Sequence, residues 1–172
     1  MSMTNIRQGT IADAALLSEL GARTFSETFA VDNTAENMAA YLADSFNPIQ
    51  QAAELSETDS SFRIAELDGV AVGYSMLRSG GPPEGITGDR PIEIVRLYVS
   101  KENIGSGVGA DLMQDCLNES ARLGFRTLWL GVWERNYRAQ AFYRKWDFVE
   151  VGTHIFQLGD DAQLDLIMQR TV

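Results

Sequence analysis

Three glycines, Gly105, Gly107 and Gly109, stand where an apolar strand gives way to an amphipathic helix, in the run Leu97-Tyr-Val-Ser-Lys-Glu-Asn-Ile-Gly-Ser-Gly-Val-Gly-Ala110. Glycines at such a junction let the backbone approach a ligand closely. The free N–H groups of the first helical turn, at the positive end of the helix dipole, then suit phosphate oxygens. The spacing predicts a phosphate cradle built from the backbone of Gly105, Ser106, Gly107, Val108, Gly109 and Ala110. Gly105, Gly107 and Ala110 also satisfy the dinucleotide fingerprint, but Ser100 to Ile104 intervene between strand and glycines and only one βαβ unit can be placed. A dinucleotide fold needs the glycines directly after its first strand and a parallel array of such units, so a different phosphate carrier is expected.

A second group lies downstream, where the apolar strand Leu128-Trp-Leu-Gly-Val-Trp133 ends in a polar turn and a short helix runs from Asn136 toward Phe148. Positions seven apart return to one helix face, which places Asn136 and Tyr143 together and turns Phe142 and Trp146 elsewhere. Upstream, Ile92-Glu-Ile-Val-Arg-Leu-Tyr-Val99 reads as a strand whose alternation groups Glu93, Val95, Leu97 and Val99 against Ile94, Arg96 and Tyr98. Glu93 is the candidate proton acceptor there, and a salt bridge to Arg96 is the competing reading of the same carboxylate.

The elements that must position these groups follow from periodicity and caps. A strand near 4–8 precedes a helix from Ile11, opened by Thr10 with Asp13 at capping-box spacing. Helices follow over roughly 34–46 and from Pro48, with Asn33 and Asn47 as cap residues. Ser61–Leu67 and Val70–Leu77 form a hairpin about Asp68-Gly69, the glycine-rich segment 80–88 is a loop, and strands near 92–99, 126–132, 148–157 and 163–170 complete a mixed sheet. The helix behind the cradle carries Val108, Leu112, Cys116 and Leu117 as its apolar stripe and stops at Gly124.

This order of motifs, strand, glycine-rich loop and helix, strand, Asn, short helix and Phe-Tyr, resembles the GNAT superfamily of N-acetyltransferases. Segments Leu130-Gly-Val-Trp-Glu134, His154–Met168 and Thr24–Phe29 are similar to bacterial spermidine/spermine N-acetyltransferases of the PaiA type. The resemblance implies a single α/β (α+β) domain over residues 1–172, with a mixed central sheet of about six to seven strands and helices on both faces. It implies acetyl-CoA as cosubstrate and direct attack of a primary amine, a polyamine such as spermidine or spermine, on the thioester. An amine on a protein N-terminus or side chain, and a coenzyme A binding sensor without turnover, are the alternatives. Backbone groups of Leu97, Tyr98 and Val99 would hold the pantetheine arm, and the Val99 N–H would stabilise the oxyanion. Asn136 would bond the coenzyme, and Tyr143 would give its proton to the leaving thiolate. Two positions depart from the family pattern: Ile104 replaces the Gln or Arg that opens the loop, and Asp147 replaces a glycine before Phe148.

Composition narrows the partners. The net charge is −10, and residues 1–86 hold 12 acids against 4 bases while residues 87–172 hold 12 against 10. An acidic first half disfavours nucleic acid and suits a cationic acceptor. Lys101, Arg135, Arg138, Arg144 and Lys145 cluster near the expected coenzyme site. One cysteine forbids an internal disulfide, no apolar run is long enough to span a bilayer, and the N-terminus lacks a signal stretch, so a cytoplasmic protein is expected. No spacing of His, Cys or carboxylates suits a metal. His154, the sole histidine, is read as a satisfied structural residue, and Trp129 and Trp133 as packing, with Trp133 placed to border the acceptor tunnel. A homodimer would form through the C-terminal strands.

Overall fold

The structure, a computed structural model, describes residues 3–172. Seven strands form one sheet in the order β1-β2-β3-β4-β5-β7-β6: β1 (Asn5–Gln8), β2 (Ser60–Leu67), β3 (Val70–Ser79), β4 (Pro91–Val99), β5 (Thr127–Trp133), β6 (Val149–Leu158) and β7 (Asp161–Thr171). Every pairing is antiparallel except β4 with β5, the two strands joined by the long helix α4 (Val108–Arg122). Antiparallel neighbours need only tight turns, and the Asp68-Gly69 turn adopts the expected left-handed pair, φ 49° and 79°. The parallel pair needs a crossover, which α4 supplies.

Helices cover both faces. On one, α1 (Ala14–Phe29) buries Leu17 and Leu20 against Phe62, Ile64, Tyr74 and Met76 of β2 and β3. α2 (Ala35–Ser45) and α3 (Pro48–Leu55) extend that layer, and Phe25, Met38, Phe46 and Leu158 close it over β6. On the other, Met113 and Cys116 of α4 and Tyr143 of α5 (Tyr137–Lys145) pack on Ile92, Ile94, Leu128 and Leu130.

Local chemistry differs from the sequence reading at two helix starts. Residues 11–13 form a 3₁₀ turn before α1 instead of its first turn, although the expected capping box of Thr10 and Asp13 is present: the Asp13 carboxylate accepts the Thr10 N–H at 2.8 Å and also bonds from Arg7 Nη1 and Nη2. Thr34, not Asn33, caps α2, its hydroxyl accepting the Asn37 N–H at 3.1 Å. Asn33 is occupied elsewhere, donating to the Phe29 carbonyl and accepting from Gln163 Nε2 at 2.6 Å. Asn47 caps α3 as expected, with Pro48 at its first turn.

Candidate active site

β4 and β5 pair over only three positions, Pro91 with Thr127, Ile92 with Leu128 and Glu93 with Trp129. Beyond Glu93 they part: β4 stays with β3 as far as Val99, while β5 stays with β7 as far as Trp133 opposite Asp165. The V-shaped opening between them is a cleft of about 870 Å³. From Ile94 onward one edge of β4 therefore faces no strand, a row of backbone donors and acceptors that an extended ligand can join as an added strand.

A bulge re-aims the side chains of β4. Register with β3 shifts between Met76 opposite Arg96 and Leu77 opposite Ile94, which leaves Val95 as the extra residue. The simple alternation expected from sequence fails at this point. Ile92, Ile94, Leu97 and Val99 pack on the α4 face, whereas Val95 and Tyr98 pack on the α1 face. Glu93, opposite in sense to Ile92 and Ile94, thus lies on the α1 side with Tyr98 and not with Leu97 and Val99. Glu93 is among the residues lining the cleft, and burial pushes its carboxyl pKa up, with Arg78 opposing. The competing ion pair with Arg96 does not form, because that guanidinium holds Glu54 through bonds of 2.6 and 3.1 Å. Leu97, Tyr98 and Val99 all border the cleft.

Across from this edge, Gly105 and Gly107 have φ of 83° and 100°, and a Cβ at either would meet nothing within 4 Å. The glycines serve backbone conformation here, and the space above them is open. Gly107 is the N-cap of α4 and has no side chain to satisfy the helix; the first bond inside is Asp111 N–H to Gly107 O, so the N–H groups of Val108, Gly109 and Ala110 remain available. Gly109 and Ala110 border the cleft, and so does the half-exposed Ile104. Ser106 turns inward, its hydroxyl and its N–H both donating to the Asn103 carbonyl at 2.6 and 3.2 Å, so the N–H expected in the cradle is already used; the Val108 side chain is core beside Leu112 and leaves only its backbone N–H.

The third wall is α5. Asn136 caps it, Oδ1 accepting the Ala139 N–H at 3.2 Å, and also borders the cleft. Tyr143 shares that exposure as expected; its ring is packed among core residues, 5.7 Å from Phe148, and its hydroxyl has no hydrogen-bond partner among the described residues. Burial raises the phenol pKa well above its ordinary value. Phe142, expected to turn away, lines the cleft too and packs against Gly109. Asp147 takes φ 65°, a left-handed turn in which Phe148 N–H reaches back to the Tyr143 carbonyl.

At the α1 end the cleft is walled by rings. Trp133 lies 5.9 Å from Phe29, Phe29 4.5 Å from Phe25, Phe25 4.6 Å from Tyr41 and Tyr41 5.5 Å from Phe156. Between them, on β7 and β6, Asp165 and His154 are register partners and both line the cleft. Burial pushes the Asp165 carboxyl up to about 6, partly offset by His154. His154 is therefore an exposed cleft residue and not the satisfied structural histidine expected. Cys116 is fully buried, its thiol raised to about 12 and held out of reaction.

Residues 22–148 match the acetyltransferase (GNAT) family. The chain belongs to that family. It is 33% identical over 160 residues to an uncharacterized N-acetyltransferase of Mycobacterium tuberculosis, covering 93% of this chain and 98% of the relative. It is 29% identical over 172 residues to one from Lactobacillus delbrueckii subsp. lactis, covering 100% and 99%. Among solved structures it superposes on the PaiA N-acetyltransferase from Thermoplasma acidophilum, in complex with coenzyme A, with TM-score 0.78, 20% identity and 99% of each chain.

In this acetyltransferase three functional candidates escaped sequence reasoning. Asp165 sits in an ordinary alternating strand, and only its pairing with His154 and Trp133 makes it notable. Gln140 is buried and donates to the Trp133 and Glu134 carbonyls at 3.1 and 2.8 Å, fixing α5 to the end of β5; its position one turn after Asn136 was the available signal. Arg96 and Glu54 form a buried pair beneath the α1 side, with the guanidinium 5.0 Å from the Phe46 ring centre. Among the described residues no helix is long and apolar enough to cross a membrane, and no three His, Cys, Asp or Glu are grouped to hold a metal.

Proposed function

We propose that the chain transfers an acetyl group from acetyl-CoA to a primary amine, and that the acceptor is a polyamine of the spermidine or spermine kind. The observation that carries this reading is the splay of β4 from β5, with a glycine cradle and Tyr143 at one end and an acidic, ring-lined mouth at the other. The residues fit the cosubstrate: open space over Gly105 and Gly107, free first-turn N–H groups of α4 for a pyrophosphate, and an unpaired β4 edge for an extended amide-bearing arm. When bound, acetyl-CoA supplies the activated acyl group. The Val99 N–H stabilises negative charge on the carbonyl oxygen, the kind of contact that often dominates such a step. Asn136 keeps its Nδ2 donors for the coenzyme while its Oδ1 caps α5.

Glu93 relays the proton that the ammonium must lose, and burial makes it a better base than an exposed carboxylate. Tyr143 donates to the departing thiolate. Free thiol release tests the reading, with spermidine, spermine, a monoamine and a peptide bearing a free N-terminus as acceptors at low and high salt. The KM for the polyamines rises with ionic strength more steeply than that for the monoamine, because exposed charges are screened over about 8 Å at physiological salt. A preference for the peptide, or salt-insensitive activity, overturns the polyamine acceptor and leaves acetyl transfer standing.

A further inference from the structure

The mouth at the α1 end combines features that the coenzyme side does not need. Its wall is a continuous chain of rings, Trp133, Phe29, Phe25, Tyr41 and Phe156, drawn from β5, α1, α2 and β6. One carboxylate, Asp165, projects into that wall from β7, with Oδ2 close over Gly131, where even a Cβ would come within 3.3 Å. It forms no salt bridge and no hydrogen bond among the described residues. A carboxylate with no hydrogen bond beside aromatic faces, and only His154 across the ladder to offset its charge, gains from an arriving cation.

We propose that Asp165 is the anchor for the acceptor's ammonium, so that this mouth selects a cation carried on an apolar stem. The inference rests on the amine-acetyltransferase reading and names the group that recognises the amine. The rings receive the methylene stem and the face of the cation, while Asp165 neutralises the charge; Gly131 leaves the room that any larger residue on β5 would take. The groups that face Asp165 are few. His154 comes from β6 and Tyr41 from α2, whereas β5 presents Gly131 and Trp133, which do not titrate. Protonation of Asp165 near its value of about 6 therefore removes the anchor, and a positive His154 favours the ionised form.

The test is calorimetric binding of spermidine to the coenzyme A-saturated protein between pH 5 and 8, run beside thiol release. The wild type binds with an affinity that falls at least tenfold as pH drops through about 6. Asp165→Asn loses at least tenfold at pH 7.5 and loses that step, while its KM for acetyl-CoA and its thermal shift with acetyl-CoA match the wild type. His154→Gln, at an exposed position, moves the midpoint of the step upward; it carries the decision if Asp165→Asn shows no thermal shift and is misfolded. Unchanged spermidine affinity in Asp165→Asn, or an unmoved midpoint in His154→Gln, overturns the anchor. Absence of thiol release by the wild type with every amine instead overturns the acetyltransfer reading, and the binding data still decide the role of Asp165.

Discussion

Replacing Tyr143 by Phe removes one oxygen and little else. The ring is packed in the core among Met113, Cys116 and Phe148, and Phe retains that packing; the hydroxyl has no bond within the fold to lose. The expected change in folding stability is within about 0.5 kcal/mol. Catalysis is another matter. A phenol near 10 and a thiol near 8.5 differ by about 2 kcal/mol in ordinary surroundings, and burial here raises the phenol further, so proton transfer to a thiolate runs uphill. The hydroxyl therefore acts chiefly by hydrogen bonding to charge as it develops on sulfur. A hydrogen bond to a charged group contributes about 1.5–3 kcal/mol, which corresponds to a fall in kcat of roughly ten- to two-hundredfold. The assay is steady-state thiol release at saturating acceptor, with coenzyme A affinity by calorimetry and the unfolding midpoint measured on the same preparation. An unchanged kcat, or equal losses of binding and turnover, would show that Tyr143 is a packing residue and refute the argument.

Three further outcomes are expected. Gly107→Val destabilises by about 1–2 kcal/mol through its left-handed φ of 100°, not through a clash, and abolishes the rise in melting temperature that acetyl-CoA, unlike NAD, gives the wild type; thermal unfolding with each ligand checks both. Arg96→Met leaves Glu54 buried and unpaired and costs about 3–5 kcal/mol in denaturant unfolding, much of which the double change with Glu54→Leu restores. Asp165→Asn stabilises the fold at pH 7.5 by about 1–2 kcal/mol. The folded carboxyl, at about 6, binds its proton more tightly than the unfolded one at 3.8, so wild-type stability is lost as pH rises between those values; the full shift is about 3 kcal/mol, discounted because the cleft admits water. The advantage falls to a small fraction of this at pH 4, just above the unfolded value of 3.8, and unfolding curves at the two pH values measure it.

The glycine-lined side of the cleft was legible in the sequence because its parts lie in one stretch, from Ile92 to Phe148, each announced by a local pattern: glycines at a helix start, an amide cap, a phenol two turns on. Asp147, a departure from the family's glycine, keeps the left-handed turn with φ 65° because Asp tolerates that region better than most residues. The ring-lined mouth was not legible. Its rings come from α1, α2, β5 and β6, and contacts such as Asn33 with Gln163 join residues 130 positions apart, a distance over which no periodicity runs. The bulge at Val95 was hidden for a subtler reason: the extra residue is apolar, like its neighbours, so composition gives no sign that Glu93 and Leu97 fall on opposite faces.

That bulge and the splay together account for how one strand borders two unlike ends of the cleft. Strands that lose each other's hydrogen bonds would be expected to close again unless each is held elsewhere, because an unpaired edge in a buried place is unfavourable. Here the two lips of the cleft are tied to different helices. Glu27, near the end of α1, accepts the Lys101 N–H at 2.6 Å just past β4, while Gln140 of α5 binds the carbonyls at the end of β5. β4 also keeps its full ladder with β3, and β5 its ladder with β7. The gap is thus held by contacts within the fold itself. Within it the bulge sends Leu97 and Val99 to the α4 face and Glu93 and Tyr98 to the α1 face, so that a single edge of backbone has the glycine cradle on one side and the ring-lined mouth on the other.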